Sequence, residues 1–516
     1  MNLKRKFYIE LIFLILLGVF TSLSLPPFNF IIINFLTFSL FYIFIIKKLE
    51  FSKNKKIFFL YGWLFGFGYF VSNLYWISIS LTFDENFKFL IPFTIILVPG
   101  FLALFYALVP YLFVVFKPKN NLSSFFLFSL IFGVVEFIRG SILTGFPWNL
   151  IAYSFSNQIE ILSVISIIGT YSLNLFCISL FTSPSIFVLK DNKKDISVCI
   201  AFFITAISFY IFGSQNLEKF NKEPTKKLDF KIRIISSNIN IDRFYNNIDP
   251  VSAIEELIEI SSPKKNEKII FIWPEGIVPG ISQDQFKEYK SLFEDKFNEN
   301  HLLAIGINSK EDDNQTVRYF NSLSIFDHNL NILSSYKKIN LVPFGEFLPF
   351  EKIFKMIGLK PITNNYQSYS KGEKRDIIDL NSNNLSIKIL PLICYEIIYS
   401  GKIFKKSNFD YIINISEDGW FGKSIGPEQH FIHSIYRAIE SGKYVLRSAN
   451  NGTTAIINPL GVIEQKVNYN KSGYIDLTES IKIETTLFAK YGNKVFVFII
   501  LLYIFFIFSF KKLKNE

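Results

Sequence analysis

The sequence predicts a membrane-embedded helical part joined to a single α/β domain, and two observations predict it. Eight apolar runs punctuate the chain, and one polar stretch, residues 214–490, lies between the seventh and the eighth. Half of the 516 residues are apolar, 61 are Phe, and only 19% are charged. That is the composition of a chain that buries much of its surface in lipid.

The runs fall at 7–25, 30–46, 57–81, 89–116, 122–139, 161–188, 196–213 and 494–510. About 20 residues of helix cross the hydrocarbon core of a bilayer, so each run is read as a span. The fourth contains Pro92, Pro99 and Pro110, which predicts a kinked helix or flanking interfacial pieces. Basic residues gather at alternate ends of the spans. Lys4, Arg5 and Lys6 precede the first; Lys47, Lys48, Lys53, Lys55 and Lys56 follow the second. Lys117 and Lys119 follow the fourth, Lys190, Lys193 and Lys194 the sixth, and Lys511, Lys512 and Lys514 the eighth. Lys and Arg in short loops favour the cytoplasmic side. Eight spans then put both termini inside and residues 214–490 outside. The net charge of +11 is a record of topology, and no nucleic-acid partner is expected.

The first run has the basic start of a signal peptide. Its nearest small-x-small site, Ser22-Leu-Ser24, runs straight into Leu25-Pro-Pro-Phe28, so the segment is read as retained. The expected organisation is a seven-span domain over 1–213, an outer catalytic domain over 214–490, and an eighth helix with a cytoplasmic tail over 491–516.

Within the outer domain, Ser214–Lys227 reads as a polar linker and 230–239 as a strand. Asp249-Pro250 opens a helix over 250–261, Pro being favoured in the first turn. Strands are expected at 268–273, 302–307, 317–327, 331–338, 385–394, 410–415, 443–448, 453–458 and 462–467, with helices at 283–298 and 427–442. One helix to every strand or two is the pattern of an α/β domain.

Cysteine use narrows the chemistry. Cys177 and Cys199 lie in expected spans, so Cys394 is alone in the outer domain and its thiol has no disulfide partner there. Cys394 ends an apolar strand and is followed two residues later by Glu396. Glu275, in Ile-Trp-Pro-Glu-Gly, and Lys338, ahead of Leu341-Val-Pro-Phe-Gly-Glu346, also sit at predicted strand ends. Strand-end loops are where α/β folds assemble sites. A thiol near pKa 8.5 needs a base to take its proton or a cation to stabilise the thiolate, and an acid with an amine supplies both. Covalent acyl chemistry is the class these three groups fit.

Each residue has a plainer alternative. Cys on an apolar strand is usually core, Glu275 fits a turn cap, and Lys338 fits a solvated strand end. Glu346 and Glu396 are read as positioning Lys338. His430 and His433, three apart on a helix, lack a third ligand nearby, and neither metal nor cofactor is expected. Glu136 and Arg139, three apart at the end of the fifth span, are read as a structural pair, with contact to a lipid headgroup beside Trp148 as the other reading.

The ordered set Glu275, Lys338, Cys394 resembles the nitrilase superfamily. Trp273-Pro-Glu-Gly276, Tyr336-Lys-Lys-Ile-Asn-Leu-Val-Pro-Phe-Gly-Glu346, Cys394-Tyr-Glu396, Trp420-Phe-Gly-Lys-Ser-Ile-Gly-Pro-Glu-Gln-His430 and Leu446-Arg-Ser-Ala-Asn-Asn-Gly452 resemble the apolipoprotein N-acyltransferase family. So do Leu25-Pro-Pro-Phe28 and Thr144-Gly-Phe-Pro-Trp148 in the membrane part. The resemblance implies an αββα sandwich on the periplasmic side of a bacterial inner membrane. It implies a phospholipid acyl donor, a diacylglyceryl-cysteine apolipoprotein as acceptor, and a thioester intermediate formed by ping-pong. Cys394 is then the nucleophile, Glu275 the general base and Lys338 the oxyanion donor. Glu346, Glu396 and Tyr395 support them. The apolar residues Phe347, Leu348, Phe350, Ile353, Phe354, Met356 and Ile357 form a loop expected to dip into the bilayer, with Trp420 and Phe421 as a facing lid.

Two positions depart from the family pattern. Ser236-Ser-Asn-Ile239 keeps only the Asn-Ile of an expected Gln-x-Asn-Ile, and Glu417 stands where a smaller or amide residue is expected. A membrane-tethered amidase acting on a small amide is the alternative from the same fold. A transporter with a ligand-binding outer domain is the alternative from another class.

Overall fold

The computed structural model describes residues 3–190, 192–244, 249–278, 280–312, 317–356, 358–363, 367–382, 385–403 and 408–512. Ile357, Lys514 and the side chain of Phe354 lie outside the described residues. Among the described residues, six helical segments are long and apolar enough to cross a membrane: Ile32–Phe51, Lys55–Thr82, Glu85–Phe116, Asn121–Arg139, Ile165–Leu189 and Ile196–Lys222. Two of the expected spans do not join that set: Leu3–Ser22 carries Arg5, Lys6 and Glu10 in its first half, and Lys494–Phe510 is shorter.

Glycine sets a close helix contact. A Cβ on Gly18 would lie 2.0 Å from the Phe65 carbonyl oxygen, and one on Gly68 would lie 2.1 Å from that of Ile15. The helices Leu3–Ser22 and Lys55–Leu74 therefore touch backbone to backbone, as small residues permit between membrane helices. The expected span 161–188 is broken at Gly169, whose φ of 74° lies outside the helical region, and the ring of Phe488 fills the space a Cβ would take.

The α/β part is built of two six-stranded sheets, ordered β12-β1-β2-β3-β4-β5 and β11-β10-β9-β8-β7-β6. The first holds β1 (Lys226–Ser236), β2 (Ile269–Ile272), β3 (His301–Asp312), β4 (Val317–Phe326), β5 (Ile332–Lys337) and β12 (Gly473–Ser480). The second holds β6 (Ile378–Ser382), β7 (Leu385–Ile393), β8 (Tyr411–Glu417), β9 (Tyr444–Asn450), β10 (Thr454–Ile457) and β11 (Ile463–Val467). Ile232, Ile270, Ile272 and Leu323 of one sheet meet Ile389, Ile413, Ile415 and Leu446 of the other in a shared core. The outer face of the first sheet is covered by Ile254 and Leu257 of the helix Pro250–Ser261 with Phe286, Phe293 and Phe297. The helix Gly426–Ser441 covers the second and belongs to the same apolar cluster as the membrane helices. The domain is a four-layer sandwich whose last layer is also its seat on the helical part.

Two expectations are corrected. The linker over Ser214–Lys227 is instead helix to Lys222, with β1 starting at Lys226. The helix over 283–298 is a 3₁₀ turn Gln285–Tyr289 and a single turn Ser291–Glu294, because three buried phenylalanines anchor the segment and override its helical propensity. Two further strands, β6 and β12, were not expected; each lies at a sheet edge and pairs antiparallel to one neighbour.

The glycine contact gives a stability test. Gly68→Leu forces the helices apart and costs at least the ~1–3 kcal/mol of an overpacked core. Gly100→Ala is a control, since its Cβ would meet only Trp63 at 3.6 Å. Thermal melting of the detergent-solubilised protein should show a clear drop for the first and little change for the second.

Candidate active site

Strand direction brings the expected residues together. β2 and β3 are parallel, and β5 runs the same way after the antiparallel β4. The C-terminal ends of β2 and β5 therefore share one edge of their sheet, and β7 delivers Cys394 from the facing sheet. Glu275 lies three residues past β2. A Cβ on Gly306 would be 2.5 Å from the Glu275 Cα, so only glycine lets the acid's backbone lie against β3. Lys338 follows β5 directly, its N–H donating to the Asn321 carbonyl at 2.8 Å. Cys394 follows β7 with a φ of 47° and opens the 3₁₀ turn Cys394–Ile398. Non-glycine residues seldom adopt that backbone, and the sharp turn lifts the thiol off the sheet end.

The Lys338 Nζ sits 3.2 Å from Glu275 Oε1 and 3.0 Å from Glu346 Oε1. The Asn321 amide donates to both of those oxygens at 2.7 Å. Glu346 Oε2 accepts from the Val342 N–H at 2.8 Å, and Glu275 Oε2 from the Glu417 N–H at 2.9 Å. The ammonium is 1% exposed. Burial alone would favour its neutral form, but the two carboxylates outweigh burial and hold the amine well above its ordinary value. Burial pushes the Cys394 thiol well up, Glu275 adds to this, and Lys338 opposes it. Burial also raises Glu346, against the pull of Lys338. The site thus holds a neutral thiol beside a carboxylate and a fixed cation. Such a set can offer a base to a thiol proton and a fixed cation to negative charge on a bound group.

The supporting residues work by fixing strand ends. Glu396 is fully buried and accepts from the N–H groups of Ile339, Asn340 and Ile393 at 3.0, 3.1 and 3.0 Å. It also binds the Tyr336 hydroxyl at 2.8 Å and pairs with Arg375. One carboxylate therefore ties the chain after Lys338 to the residue before Cys394. The Tyr395 hydroxyl donates to the Gly145 carbonyl at 2.9 Å, and Tyr399 to that of Thr144 at 2.9 Å. The Thr144–Trp148 loop is held in turn by Arg139, which donates to the Phe146 and Asn149 carbonyls and pairs with Glu136 at 2.5 Å.

The residues assigned to substrate and lid are spread more widely. Trp148 is buried, donates to Gln429 at 2.9 Å and stacks on His430 with centroids 5.3 Å apart. Phe421 packs on Trp76 and Trp148, and Trp420 lies against Phe83 and Phe244. Phe347 is half-buried and Leu348 buried, while Phe344, Phe350, Ile353 and Met356 present large apolar side chains outward.

Sequence reasoning missed Asn321, Gly306, Arg375 and the role of His430. The His430 Nε2 lies 3.3 Å from the Cys394 carbonyl and its Nδ1 2.9 Å from Asp418, which pairs with Arg447 at 2.7 Å. His430 stood in a quoted motif, and its helix position facing Cys394 was the available signal. Asn321 carried none, being one polar residue inside a strand.

Residues 17–182 match the family model of the apolipoprotein N-acyltransferase N-terminal domain, and 248–480 match that of carbon-nitrogen hydrolase. A protein of Rickettsia prowazekii (strain Madrid E) named apolipoprotein N-acyltransferase is 33% identical over 505 residues, 95% of this chain and 97% of its own. The chain belongs to the apolipoprotein N-acyltransferase family. A second member of that family, from Rhodopseudomonas palustris (strain ATCC BAA-98 / CGA009), is 30% identical over 93% of this chain and 91% of its own. Among solved structures, a mutant of the Nesterenkonia AN1 amidase from the nitrilase superfamily overlaps 50% of this chain and 93% of its own, at 14% identity and a TM-score of 0.34. Saccharomyces cerevisiae Nit3 overlaps 48% of this chain and 90% of its own, at 18% identity and a TM-score of 0.33. This family member therefore joins a helical region bearing six apolar, membrane-length helices to a carbon-nitrogen hydrolase domain.

The Asp418 network makes a pH prediction. Burial would raise this carboxyl, but Arg447 and His430 override it and hold the acid well below its ordinary value. A depressed carboxyl contributes stability that is present above the unfolded value, ~3.9, and is lost as pH falls toward the folded one. Melting temperature should therefore fall as pH drops below about 4. Asp418→Asn should lose that part of the acid sensitivity and, by leaving Arg447 buried and unpaired, cost ~3–5 kcal/mol at neutral pH.

Proposed function

We propose that this protein transfers a fatty acyl group from a membrane phospholipid to the N-terminal α-amine of an S-diacylglyceryl-cysteine apolipoprotein, through a thioester on Cys394. The observation that carries the reading is a buried thiol, carboxylate and ammonium at strand ends, with Tyr395 beside the thiol hydrogen-bonded to the loop that follows a membrane-length helix. Its family membership supports the same reaction.

In this mechanism Glu275 takes the Cys394 proton as the sulfur attacks the ester carbonyl of the donor. Lys338 stabilises the oxyanion, a contribution of about 3–4 kcal/mol for one such donor. Collapse of the tetrahedral intermediate breaks the ester C–O bond. The leaving lysophospholipid takes the proton back from Glu275, and the acyl group stays on sulfur. The neutral amine of the acceptor then attacks the thioester and gives a proton to Glu275. The C–S bond breaks, and the thiolate recovers that proton as the amide product leaves. Glu346 and Asn321 hold Lys338 and Glu275 at their working separation. Water must be kept from the thioester, a task for the apolar walls around the site.

The membrane arrangement belongs to the same proposal. Eight crossings, counting Leu3–Ser22 and Lys494–Lys512, put both termini in the cytoplasm and the α/β domain in the periplasm of an inner membrane. The alternating lysine clusters support it. On this reading residues 1–213 and 491–516 make the membrane part and 214–490 the outer domain, the seventh helix running on as a rigid stalk to Lys222. Phe344, Phe350, Ile353 and Met356 touch the bilayer and guide an acyl chain toward Cys394.

Intact-mass spectrometry of the detergent-purified protein with phospholipid tests the chemistry. The expected result is one fatty-acyl increment, absent from Cys394→Ala and discharged by a diacylglyceryl-cysteine peptide. Lys338→Ala should form the adduct roughly 10²–10³-fold more slowly. No increment, together with rapid hydrolysis of a soluble amide, would sink the acyltransferase reading.

A further inference from the structure

We infer that the buried Arg243–Glu417 ion pair is a positioning device for Glu275, an assignment that rests on Glu275 being the base. The two oxygens of Glu275 are held differently. Oε1 takes Asn321 and Lys338, whereas Oε2 takes one donor among the described residues, the Glu417 N–H at 2.9 Å. Oε2 is therefore the oxygen with room for the thiol proton, and the Glu417 backbone decides where it points.

Glu417 is itself fixed by its side chain. It is the last residue of β8 and is 1% exposed. Oε1 accepts from the Gly419 N–H at 2.9 Å, and Oε2 from Asn450 at 2.8 Å and from Arg243. A buried carboxylate in this place needs a cation. Arg243 is 3% exposed, lies with its guanidinium carbon 4.5 Å from the Phe244 ring centroid, and donates to the Ile239 and Asn240 carbonyls at 3.4 and 3.2 Å. The same Nη2 that meets Glu417 also lies 3.5 Å from the Gly276 carbonyl. Arg243 thus touches the residue after Glu275 and the residue whose N–H holds Glu275, bracketing the base from both sides.

The pair also accounts for a departure from the family pattern. Where an amide at 417 would be neutral, a carboxylate adds a charge beside Glu275, and Arg243 cancels it. Glu275 then faces Lys338, Glu346, Cys394, Tyr369 and a neutralised pair. Removing either partner changes the geometry and leaves one uncompensated charge near the base, negative without Arg243 and positive without Glu417.

The test is the pH profile of acyl-enzyme formation, read by intact mass in single turnover with the full-length protein and phospholipid. Arg243→Met leaves the Glu417 carboxylate uncompensated and should move the acid limb to higher pH. Glu417→Gln leaves the guanidinium uncompensated and should move it to lower pH. Each should slow the reaction about tenfold near neutral pH. The double variant Arg243→Met/Glu417→Gln should return the limb to its original position and recover most of the rate, which loss of a purely structural contact would not do. Unmoved limbs in both single variants, or a double variant as slow as the product of the two, would overturn the assignment. A double variant that also melts far below the wild type without regaining the limb counts equally against it. Wild type that forms no adduct would instead remove the acyl-enzyme reading beneath it.

Discussion

One buried ammonium organises the site. Lys338 lies within hydrogen-bond reach of two carboxylates, and an uncompensated charge at that depth would be worth several kcal/mol against folding. The requirement acts on the fold. β2, β5 and the loop bearing Glu346 must end close together, and Gly306 must lack a side chain so that Glu275 can come near. Asn321 then donates to one oxygen of each acid. A cluster so satisfied is stiff, and stiffness is what a group needs if it is to meet charge that appears only during reaction.

The thiol is fixed by a different logic. Its strained turn is held from three directions: Glu396 binds the amide before it, His430 approaches its carbonyl, and Tyr395 after it reaches the Thr144–Trp148 loop. That loop is gripped by Arg139, whose charge is matched by Glu136 deep among apolar helices. The membrane helices therefore take part in placing Cys394. A soluble copy of the α/β domain would keep the Lys338 cluster, which lies within the sandwich, and lose the Tyr395 and Trp148 contacts.

How much of this was legible in the sequence depends on whether the determinant was local. Cys394, Glu275 and Lys338 each declared themselves as a reactive residue closing an apolar strand, and strand ends are a local pattern. The helix after Asp249-Pro250 and the helix after Gly426-Pro427 were legible for the same reason. Asn321 was not, because its importance comes from β4 lying between β3 and β5, a pairing set by the whole sheet. The helix expected at 283–298 failed because three phenylalanines found a better tertiary anchorage than a regular helix offers. Trp148 was read only as a residue beside a lipid-headgroup contact; its packing on Gln429 and His430, some 280 residues away in sequence, is beyond the reach of any periodicity. Glu417 was noticed only as an oddity, since the residue that explains it, Arg243, lies in a separate strand-end loop.

These placements divide labour between the two walls of the site. The side nearest the first sheet is ionic: Glu275, Lys338 and Glu346, with Arg243 and Glu417 behind them. The side nearest the membrane helices is aromatic: Trp76, Trp148 and Phe421 are in mutual contact, and Tyr395 is linked to them through Phe146. Phe146 joins that aromatic wall between Trp148 and Tyr395. A reactive group at such a boundary can meet a substrate whose scissile bond is polar and whose remainder is hydrocarbon. Neither wall alone would do so, because the ionic cluster needs exclusion from water to keep its strength, and the aromatic wall provides that exclusion while offering no charge of its own. The direct bond between Tyr395 and Gly145 is where the two are joined, one residue from the thiol.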